Sequence, residues 1–199
     1  MEINKESYNK IAKQWKEYRH KPPLNKCIVD FSQKIKPNGK VLDIGCGTGY
    51  PIAKYLSEQG FAVTGIDISE NMIKEAVNLK LSNAKFYLCD FFEFIPTEKY
   101  DGIVAFDSFF HFPKEKQTEI YHMVSSWMNI GAYLLFTHGK QEGEVKGKMF
   151  GETFYYSALD TQNVHKLLTD SGFAIKISVE DYKEVNSERD LLILAKKIR

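Results

Sequence analysis

The chain carries almost no excess of charge of either sign. Lys and Arg total 27, Asp and Glu total 26, and the net charge is +1. A protein that gathers phosphate backbones needs a positive field, which this balance does not supply. We therefore expect no nucleic-acid partner.

Cysteines are few, and long apolar runs are missing. Cys27, Cys46 and Cys89 are an odd number without CxxC or Cys/His spacing, so neither a disulfide framework nor a metal site is indicated. Apolar runs such as 132–136 reach only about five residues, far below the ~20 of a membrane helix, and the N-terminus has no apolar signal core. These absences predict a cytoplasmic protein with reduced thiols and no membrane contact.

What the chain does contain is enough apolar sequence for one full core. With 43% hydrophobic residues among 199, a single domain is expected. From residue 40 onward, short apolar runs alternate with helical patterns, which predicts a parallel sheet covered on both faces. The last two strands, 173–179 and 191–196, are joined by a polar segment too short for a crossover helix, so we expect them to pair antiparallel.

Four parts can be distinguished along this single domain. They are a helical N-terminal lid (1–36), a cofactor-binding core (40–138), an acceptor-side flap (139–157) and a C-terminal helix with its hairpin (158–199). The flap is predicted because four glycines there precede two tyrosines, a composition typical of a mobile covering segment.

The most informative stretch is VLDIGCGTGY, residues 41–50. Its glycines follow a strand and open a helix, where bare backbone lets a ligand approach closely. A dinucleotide fingerprint would have its third glycine where Tyr50 stands. Asp43 lies two residues before the first glycine. Its carboxylate would repel a pyrophosphate, which is also anionic, and would attract a cation.

Two further carboxylates follow the next two strands. Asp67 ends the second strand, where an acid can accept the hydroxyls of a ribose, and Asp90 follows the third. Together with Asp43 they indicate a ligand with a ribose, several hydrogen-bond donors and no phosphate. S-adenosylmethionine has these properties.

The stretch from Val41 to about Phe112 resembles the class I S-adenosylmethionine-dependent methyltransferases, particularly the small-molecule type. The resemblance is carried by VLDIGCGTG, VTGIDIS, CDFFEF and YDGIVAFDSFFHF. It implies an α/β fold with a Rossmann-like seven-stranded, mostly parallel sheet, a C-terminal antiparallel hairpin, helices on both faces and an N-terminal helical lid. It also implies S-adenosylmethionine as cofactor, S-adenosylhomocysteine as product, and methyl transfer by in-line displacement to an O, N or other nucleophile of an unidentified small molecule.

The resemblance also implies cofactor-binding residues. The methionine portion is assigned to Asp43 and the turn of Gly45, Cys46, Gly47 and Gly49; the ribose to Asp67; the adenine to Ile68, Asp90 and the Phe91 amide; and the floor near the methyl group to Asp107 and Ser108.

Candidates on the acceptor side are less specific. His111 and His138 follow the fourth and fifth strands, where open α/β sheets place reactive groups, so either is a candidate base or positioning group. A histidine bonded to backbone at a helix start is the interpretation of His111 that the sequence favours. Tyr8 and Trp15 of the first helix, and Tyr155 and Tyr156 of the flap, are candidate acceptor contacts, although simple packing on the core would also place aromatic residues there.

Three alternatives remain open at this stage. A nicotinamide-dependent oxidoreductase is disfavoured by Asp43 and Tyr50. A non-catalytic S-adenosylmethionine-binding protein is compatible with the same carboxylates. Methylation of nucleic acid or protein is disfavoured because DSFF stands where the Asn/Asp-Pro-Pro-aromatic signature would be. The chain is expected to act as a monomer or homodimer.

Overall fold

The structure is a computed structural model that describes residues 2–20, 23–184 and 187–199. Its described strands are β1 (Lys40–Ile44), β2 (Ala62–Asp67), β3 (Ala84–Leu88), β4 (Tyr100–Ala105), β5 (Met128–His138), β6 (Gly143–Met149), β7 (Glu152–Ala158), β8 (Phe173–Glu184) and β9 (Ser187–Lys197). Its described helices are α1 (Glu2–Arg19), α2 (Lys26–Ser32), α3 (Ile52–Glu58), α4 (Glu70–Asn78), α5 (Gln117–Trp127) and α6 (Thr161–Asp170).

Seven strands form the central sheet in the order β3-β2-β1-β4-β5-β9-β8. The strands from β3 to β5 run parallel, and β9 pairs antiparallel with both β5 and β8. Chain order reverses beside β1, which leads outward to β2 on one side and has β4 on the other. Open α/β sheets bind ligands at such a switch point, beyond the carboxyl ends of the strands. The predicted fold class is confirmed.

Successive strand residues point to opposite faces of the sheet, and helices cover both faces. Val41 and Val104 pack with α2 and α3, whereas Leu42 and Ile103 pack with α5 and α6. All four side chains are fully buried. Such double burial explains why these strands appear in the sequence as continuous apolar runs.

Two helix starts are fixed by side-chain caps. The Ser69 hydroxyl accepts the Met72 amide at the start of α4, and the Asp160 carboxylate accepts the Asn163 amide at the start of α6. An N-cap of this kind contributes about 1 kcal/mol. The Ser69 cap sets the direction in which α4 leaves the ligand edge of the sheet.

The glycine-rich segment predicted as a flap forms a β-hairpin. Strands β6 and β7 pair antiparallel as a separate two-stranded sheet, with Gly147 opposite Phe154. Phe154 is fully buried against Ile11 of α1 and Met72 of α4. Glycine and lysine are poor strand formers, so the segment itself gave no strand signal, and its apolar docking face comes from β7.

The C-terminal hairpin is longer than predicted. The polar linker EDYKEVNSERD is largely strand, because β8 continues to Glu184 and β9 begins at Ser187; residues 185 and 186 of the linker lie outside the described residues. Pairs such as Tyr182 with Arg189 extend this ladder beyond the main sheet. Here backbone pairing prevails over a polar composition that favours a loop.

Candidate functional site

The turn after β1 adopts a conformation that only glycines fit well. Gly45, Gly47 and Gly49 have φ values of +72°, +54° and +74°, in the left-handed region. A Cβ at Gly45 would lie 2.5 Å from the Cβ of Ser108, so a side chain there would collide with the turn after β4. The backbone at this point is therefore open to a close ligand.

Asp43, at the end of β1, is a buried carboxylate without a donor. It is 3% exposed, and no group among the described residues hydrogen-bonds to it. Burial, reinforced by the nearby charge of Asp67, raises its pKa to about 7. An unpaired buried carboxylate is costly, so this position favours a ligand that brings a cationic donor.

Asp67, at the end of β2, is held by the backbone around it. It accepts the Gly47 amide at 2.9 Å and the Ser69 amide at 2.8 Å, one on each oxygen. Burial raises its pKa to about 6, and these amide bonds limit the increase. Because a carboxylate oxygen can accept two hydrogen bonds, each keeps capacity for a ligand hydroxyl.

These groups share one cleft at the carboxyl edge of β1, β2 and β4, hereafter the cleft. It is bounded by Asp43, Gly45, Gly47, Asp67, Phe91 and Ser108. Cys46, Ile68 and Asp107 also border it, and their roles in cofactor binding stay predictions. The buried hydroxyl of Ser108 has no hydrogen-bond partner among the described residues, which leaves a polar atom free for a ligand.

Helix α1 lies across the mouth of the cleft. Tyr8, Trp15 and Arg19 line it from this side, and the Trp15 indole nitrogen lies 3.6 Å from the position that a Cβ on Gly47 would take. The N-terminal helix thus covers the glycine turn, and its action as a lid stays a prediction.

A second cavity, hereafter the side cavity, continues from the cleft beneath α1 and the β6–β7 hairpin. It has a volume of about 420 Å³, and its walls include Tyr8, Trp15, Arg19, Phe110, Tyr156 and Arg189. The cleft and the side cavity share Asp107 and His111, as well as Tyr8, Trp15 and Arg19 of α1. Its size and mixed aromatic and polar walls are typical of small-molecule sites.

His111 lies at the junction of the two spaces with both ring nitrogens engaged. Nε2 is 2.8 Å from the Tyr8 hydroxyl, while Nδ1 is 3.0 Å from both the Tyr155 carbonyl and the Asn4 amide nitrogen. Burial lowers its pKa to about 4, so the ring is neutral near pH 7. Its position is as predicted, and its contacts are those of a group that holds α1 and β7 together.

Asp107 is flanked by two arginines. It has a φ of +63° and accepts hydrogen bonds from Thr137 and from Arg189, whose Nη2 is 2.6 Å away. The Arg19 guanidinium approaches the same carboxylate at 3.8 Å. Asp107 therefore borders the cleft as predicted, but its charge is already paired.

Several predicted site residues are not brought to the cleft. Gly49 packs against Phe86 and α4, so it shapes the turn without facing the cleft. The Asp90 carboxylate accepts the Phe92 amide at 2.9 Å and does not line the cleft wall. The side chain of Tyr155 reaches Glu144 across the hairpin.

His138 is also remote from the cleft. Nε2 lies 3.0 Å from the Gln117 carbonyl oxygen, and Nδ1 lies 2.8 Å from the Gly139 carbonyl. Gln117 in turn donates to Ser157, so this buried group ties β5 and β7 to the start of α5. These contacts give no support to the predicted acceptor role of His138, which stays a prediction.

Three polar residues of the site were not predicted from the sequence, namely Asn4, Arg19 and Arg189. Asn4 and Arg19 lie on α1, of which only the aromatic residues Tyr8 and Trp15 were predicted to contact a ligand. Arg19 follows Trp15 at i+4 spacing and therefore lies on the same face of the helix. Arg189 lies in the polar segment expected to link the last two strands. The i+4 spacing could have indicated Arg19, whereas only the tertiary pairing of β8 with β9 reveals Arg189.

Comparison with known proteins assigns the chain to a family. A family described as a methyltransferase domain matches residues 35–187. The chain belongs to the methyltransferase-domain family. The matched region contains the glycine turn, all three predicted carboxylates and His111, so the resemblance found in the sequence is confirmed.

Individual relatives of this methyltransferase-family chain are distant. A release factor glutamine methyltransferase of Fusobacterium nucleatum is 29% identical over 188 residues, covering 87% of this chain and 51% of the relative. The chain thus spans about half the length of that curated relative. No helix among the described residues is long and apolar enough to cross a membrane.

Two solved structures share the fold at low identity. A Burkholderia thailandensis 1,6-didemethyltoxoflavin-N1-methyltransferase with S-adenosylhomocysteine matches with a TM-score of 0.76 at 15% identity, covering 99% of this chain and 88% of that one. The magnesium protoporphyrin IX methyltransferase of Synechocystis, also with S-adenosylhomocysteine, matches with a TM-score of 0.74 at 19% identity and 98% coverage of both chains. Both similarities are evidence for the fold.

Proposed function

We propose that this chain binds S-adenosylmethionine in the cleft and methylates a small molecule held in the side cavity. The observation that carries the proposal is Asp43, a buried carboxylate without a donor beside a glycine turn. Membership of the methyltransferase-domain family and bound S-adenosylhomocysteine in structural neighbours support it.

The residues present fit this cofactor. Asp43 would receive the amino group of the methionine portion, whose charge complements a carboxylate that lacks a partner. Asp67 would accept the ribose hydroxyls with its free lone pairs, and Ile68 and Phe91 offer apolar surface for the adenine. The orphaned Ser108 hydroxyl supplies one more polar contact at the floor. The Asp90 carboxylate accepts the Phe92 amide and does not line the cleft wall, so its bond to the adenine stays a prediction.

When bound, S-adenosylmethionine supplies a methyl carbon that an acceptor lone pair can attack while the C–S bond breaks and its electron pair passes to sulfur. The chain's own contribution is then chiefly alignment of the two reactants, which can supply several kcal/mol, on the order of 7 or more in favourable cases. Tyr8 and Trp15 cover the junction and exclude water. Burial raises the pKa of Tyr8 well above its ordinary value, so its hydroxyl stays protonated.

We propose a positioning role for His111. Both ring nitrogens are occupied and its pKa is lowered to about 4, so the ring is a weak base. By holding the Tyr8 hydroxyl at 2.8 Å, it fixes the wall between cleft and side cavity. An acceptor that is already deprotonated needs no further base.

The alternative functions that the sequence left open have less support. A nicotinamide-dependent oxidoreductase does not account for the buried carboxylate at Asp43, and the family assignment is against it. A non-catalytic S-adenosylmethionine-binding protein would use the same cleft and is therefore an outcome of the test. The free thiols of the three cysteines fit a cytoplasmic location, which we propose together with a small-molecule acceptor.

Calorimetric titration with S-adenosylhomocysteine and with NAD tests the cofactor assignment. We expect binding of the former alone, and NAD binding without it would overturn the proposal. Asp67→Asn should weaken S-adenosylhomocysteine by roughly tenfold or more, the worth of a charge-assisted hydrogen bond. Asp170→Asn is the matched control and should change affinity by less than about threefold, because its exposed carboxylate at the end of α6 does not line the cleft.

Methyl transfer is tested separately. The protein is incubated with methyl-labelled S-adenosylmethionine and a panel of phenols, amines and carboxylic acids. Label in an acceptor establishes catalysis, and binding without any transfer favours the non-catalytic alternative.

A further inference from the structure

Arg19, the last residue of α1, is a buried arginine with little to bind. The residue is 9% exposed, and its nearest ionic contact among the described residues is the Asp107 carboxylate at 3.8 Å. No described residue accepts a hydrogen bond from its guanidinium. The guanidinium lies 5.7 Å from the centroid of the Trp15 ring and lines both the cleft and the side cavity, so its five N–H donors are available to an anionic ligand in either space.

Asp107 offsets this charge only in part, because Arg189 already occupies both of its oxygens. The Arg189 guanidinium donates to both carboxylate oxygens, in the bidentate geometry that makes such pairs strong. Two guanidinium groups thus face one carboxylate. Other titratable groups on the described wall of the side cavity are tyrosines and His111, whose lowered pKa keeps it neutral. The described wall of the side cavity therefore carries one more positive than negative charge. A further carboxylate, Asp43, lies on the cleft side, where burial raises its pKa and the charge of Arg19 lowers it.

The rest of the side cavity is aromatic. Phe110 and Tyr156 form one wall with ring centroids 5.8 Å apart, and Trp15 and Tyr18 on α1 form another, 5.7 Å apart. Such walls suit a flat or apolar molecular body. A cation at one end of an aromatic cavity selects a ligand with an anionic group at one end.

We propose that the methyl acceptor is a small aromatic or otherwise apolar molecule bearing an oxyanion, a carboxylate or phosphonate, which Arg19 binds. Arg189 binds Asp107, which leaves the Arg19 guanidinium free to meet this anion. The inference rests on the proposed function and adds the chemical class of the acceptor. The cofactor's own methionine carboxylate has the same chemistry and can reach the same residue from the cleft, so the test must separate the two sources.

The first arm of the test uses binding in place of turnover. The complex with S-adenosylhomocysteine is titrated with benzoate, phenylphosphonate and benzamide, followed by ligand-observed NMR. We expect at least one anion to bind roughly tenfold more tightly than benzamide, the effect of one charge-assisted contact. Arg19→Gln should abolish this preference, and Arg199→Gln, at an arginine remote from both spaces, should leave it unchanged. Equal binding of the three probes overturns the inference.

The second arm identifies the source of the anion. S-adenosylhomocysteine is compared with 5′-methylthioadenosine, which has the adenosine and the sulfur but no amino-acid portion. If Arg19 binds the acceptor, Arg19→Gln should leave both affinities within about threefold of wild type. A loss confined to S-adenosylhomocysteine would assign Arg19 to the cofactor's carboxylate and overturn the inference. Retained binding of 5′-methylthioadenosine shows that the variant is folded.

The two proposals fail in different ways. If wild-type protein binds neither S-adenosylhomocysteine nor 5′-methylthioadenosine, the proposed function itself is wrong. If both bind while anionic probes show no preference, only the acceptor class is wrong.

Discussion

The Tyr8 hydroxyl lies 2.8 Å from Nε2 of His111, and this contact joins α1 to the turn after β4. On the other side of the same ring, Nδ1 meets the Tyr155 carbonyl of β7 at 3.0 Å. One imidazole therefore connects the N-terminal helix, the sheet edge and the hairpin. These are the three elements that enclose the side cavity, so the ionisation of His111 is coupled to their packing.

This coupling predicts a pH-dependent stability. The folded-state pKa of His111 is lowered from 6.5 to about 4, so between these values the unfolded chain binds more protons. The contribution of His111 is therefore complete above about pH 6.5 and is lost as the pH falls toward 4. Relative to His111→Gln, which does not titrate, the wild type should lose roughly 3 kcal/mol of unfolding free energy over this window.

Urea unfolding at several pH values measures this difference. Titration of His138, Asp43 and Asp67 occurs in both proteins and cancels in the comparison. Parallel stability curves for wild type and His111→Gln between pH 7 and pH 4 would contradict the assigned burial of His111.

A second prediction concerns the glycine turn. Gly45→Ala places a methyl group 2.5 Å from the Cβ of Ser108 at a φ of +72°, so both collision and backbone strain oppose it. We expect a loss of roughly 2–4 kcal/mol in unfolding free energy, from a left-handed residue and overpacking together. Gly143→Ala is the matched control, because no atom of the described residues lies within 4 Å of its added Cβ. Thermal denaturation measures the melting temperatures of both variants. Equal melting temperatures would contradict the predicted strain at Gly45.

Much of the cleft could be predicted from the sequence because its parts are local. Asp43 and the glycines belong to one strand-turn-helix unit, and Asp67 ends the next strand, so parallel pairing alone brings them together. Asp90 follows the same rule, yet its side chain caps the turn that follows it. A short-range hydrogen bond to the Phe92 amide decides this orientation, and strand order does not predict it.

The side cavity could not be predicted in the same way. Its walls come from α1, the β6–β7 hairpin and β9, which are distant in sequence and meet only through tertiary packing. Arg189 illustrates the difficulty: it lies in a polar stretch that favours a loop, and its bond to Asp107 spans 82 positions. Only the pairing of β8 with β9 places it beside Asp107.

A third prediction uses the indole of Trp15. Its Nε1 lies over the glycine turn, whereas Trp127 is buried in the core. S-adenosylhomocysteine should therefore change the fluorescence of Trp15, and Trp15→Phe should lose the change while Trp127 still reports a folded core. If Trp15→Phe keeps the full response, the signal arises at Trp127 through Phe91, whose ring centroid is 5.0 Å away. In that case α1 does not cover the cofactor.

The last prediction follows from the unpaired carboxylate of Asp43. Its pKa is raised to about 7, so near pH 7 about half of the molecules carry a proton there. The ammonium group of a bound S-adenosylhomocysteine stabilises the ionised carboxylate and lowers this pKa, so binding must release a proton from the protonated fraction. We expect release of about half a proton at pH 7, and an affinity that rises between pH 6 and pH 8. Calorimetry in two buffers with different ionisation enthalpies measures the number directly.

Asp43→Asn is the control for this linkage, since it preserves the shape of the side chain and cannot titrate. It should bind more weakly, and its proton release should fall to the smaller amount that comes from Asp67, whose pKa is about 6. Proton uptake by the wild type, or equal release from both proteins, would mean that Asp43 does not meet the ammonium group. The cofactor orientation proposed for the cleft would then be wrong even if the cofactor binds, because that orientation depends on pairing this charge.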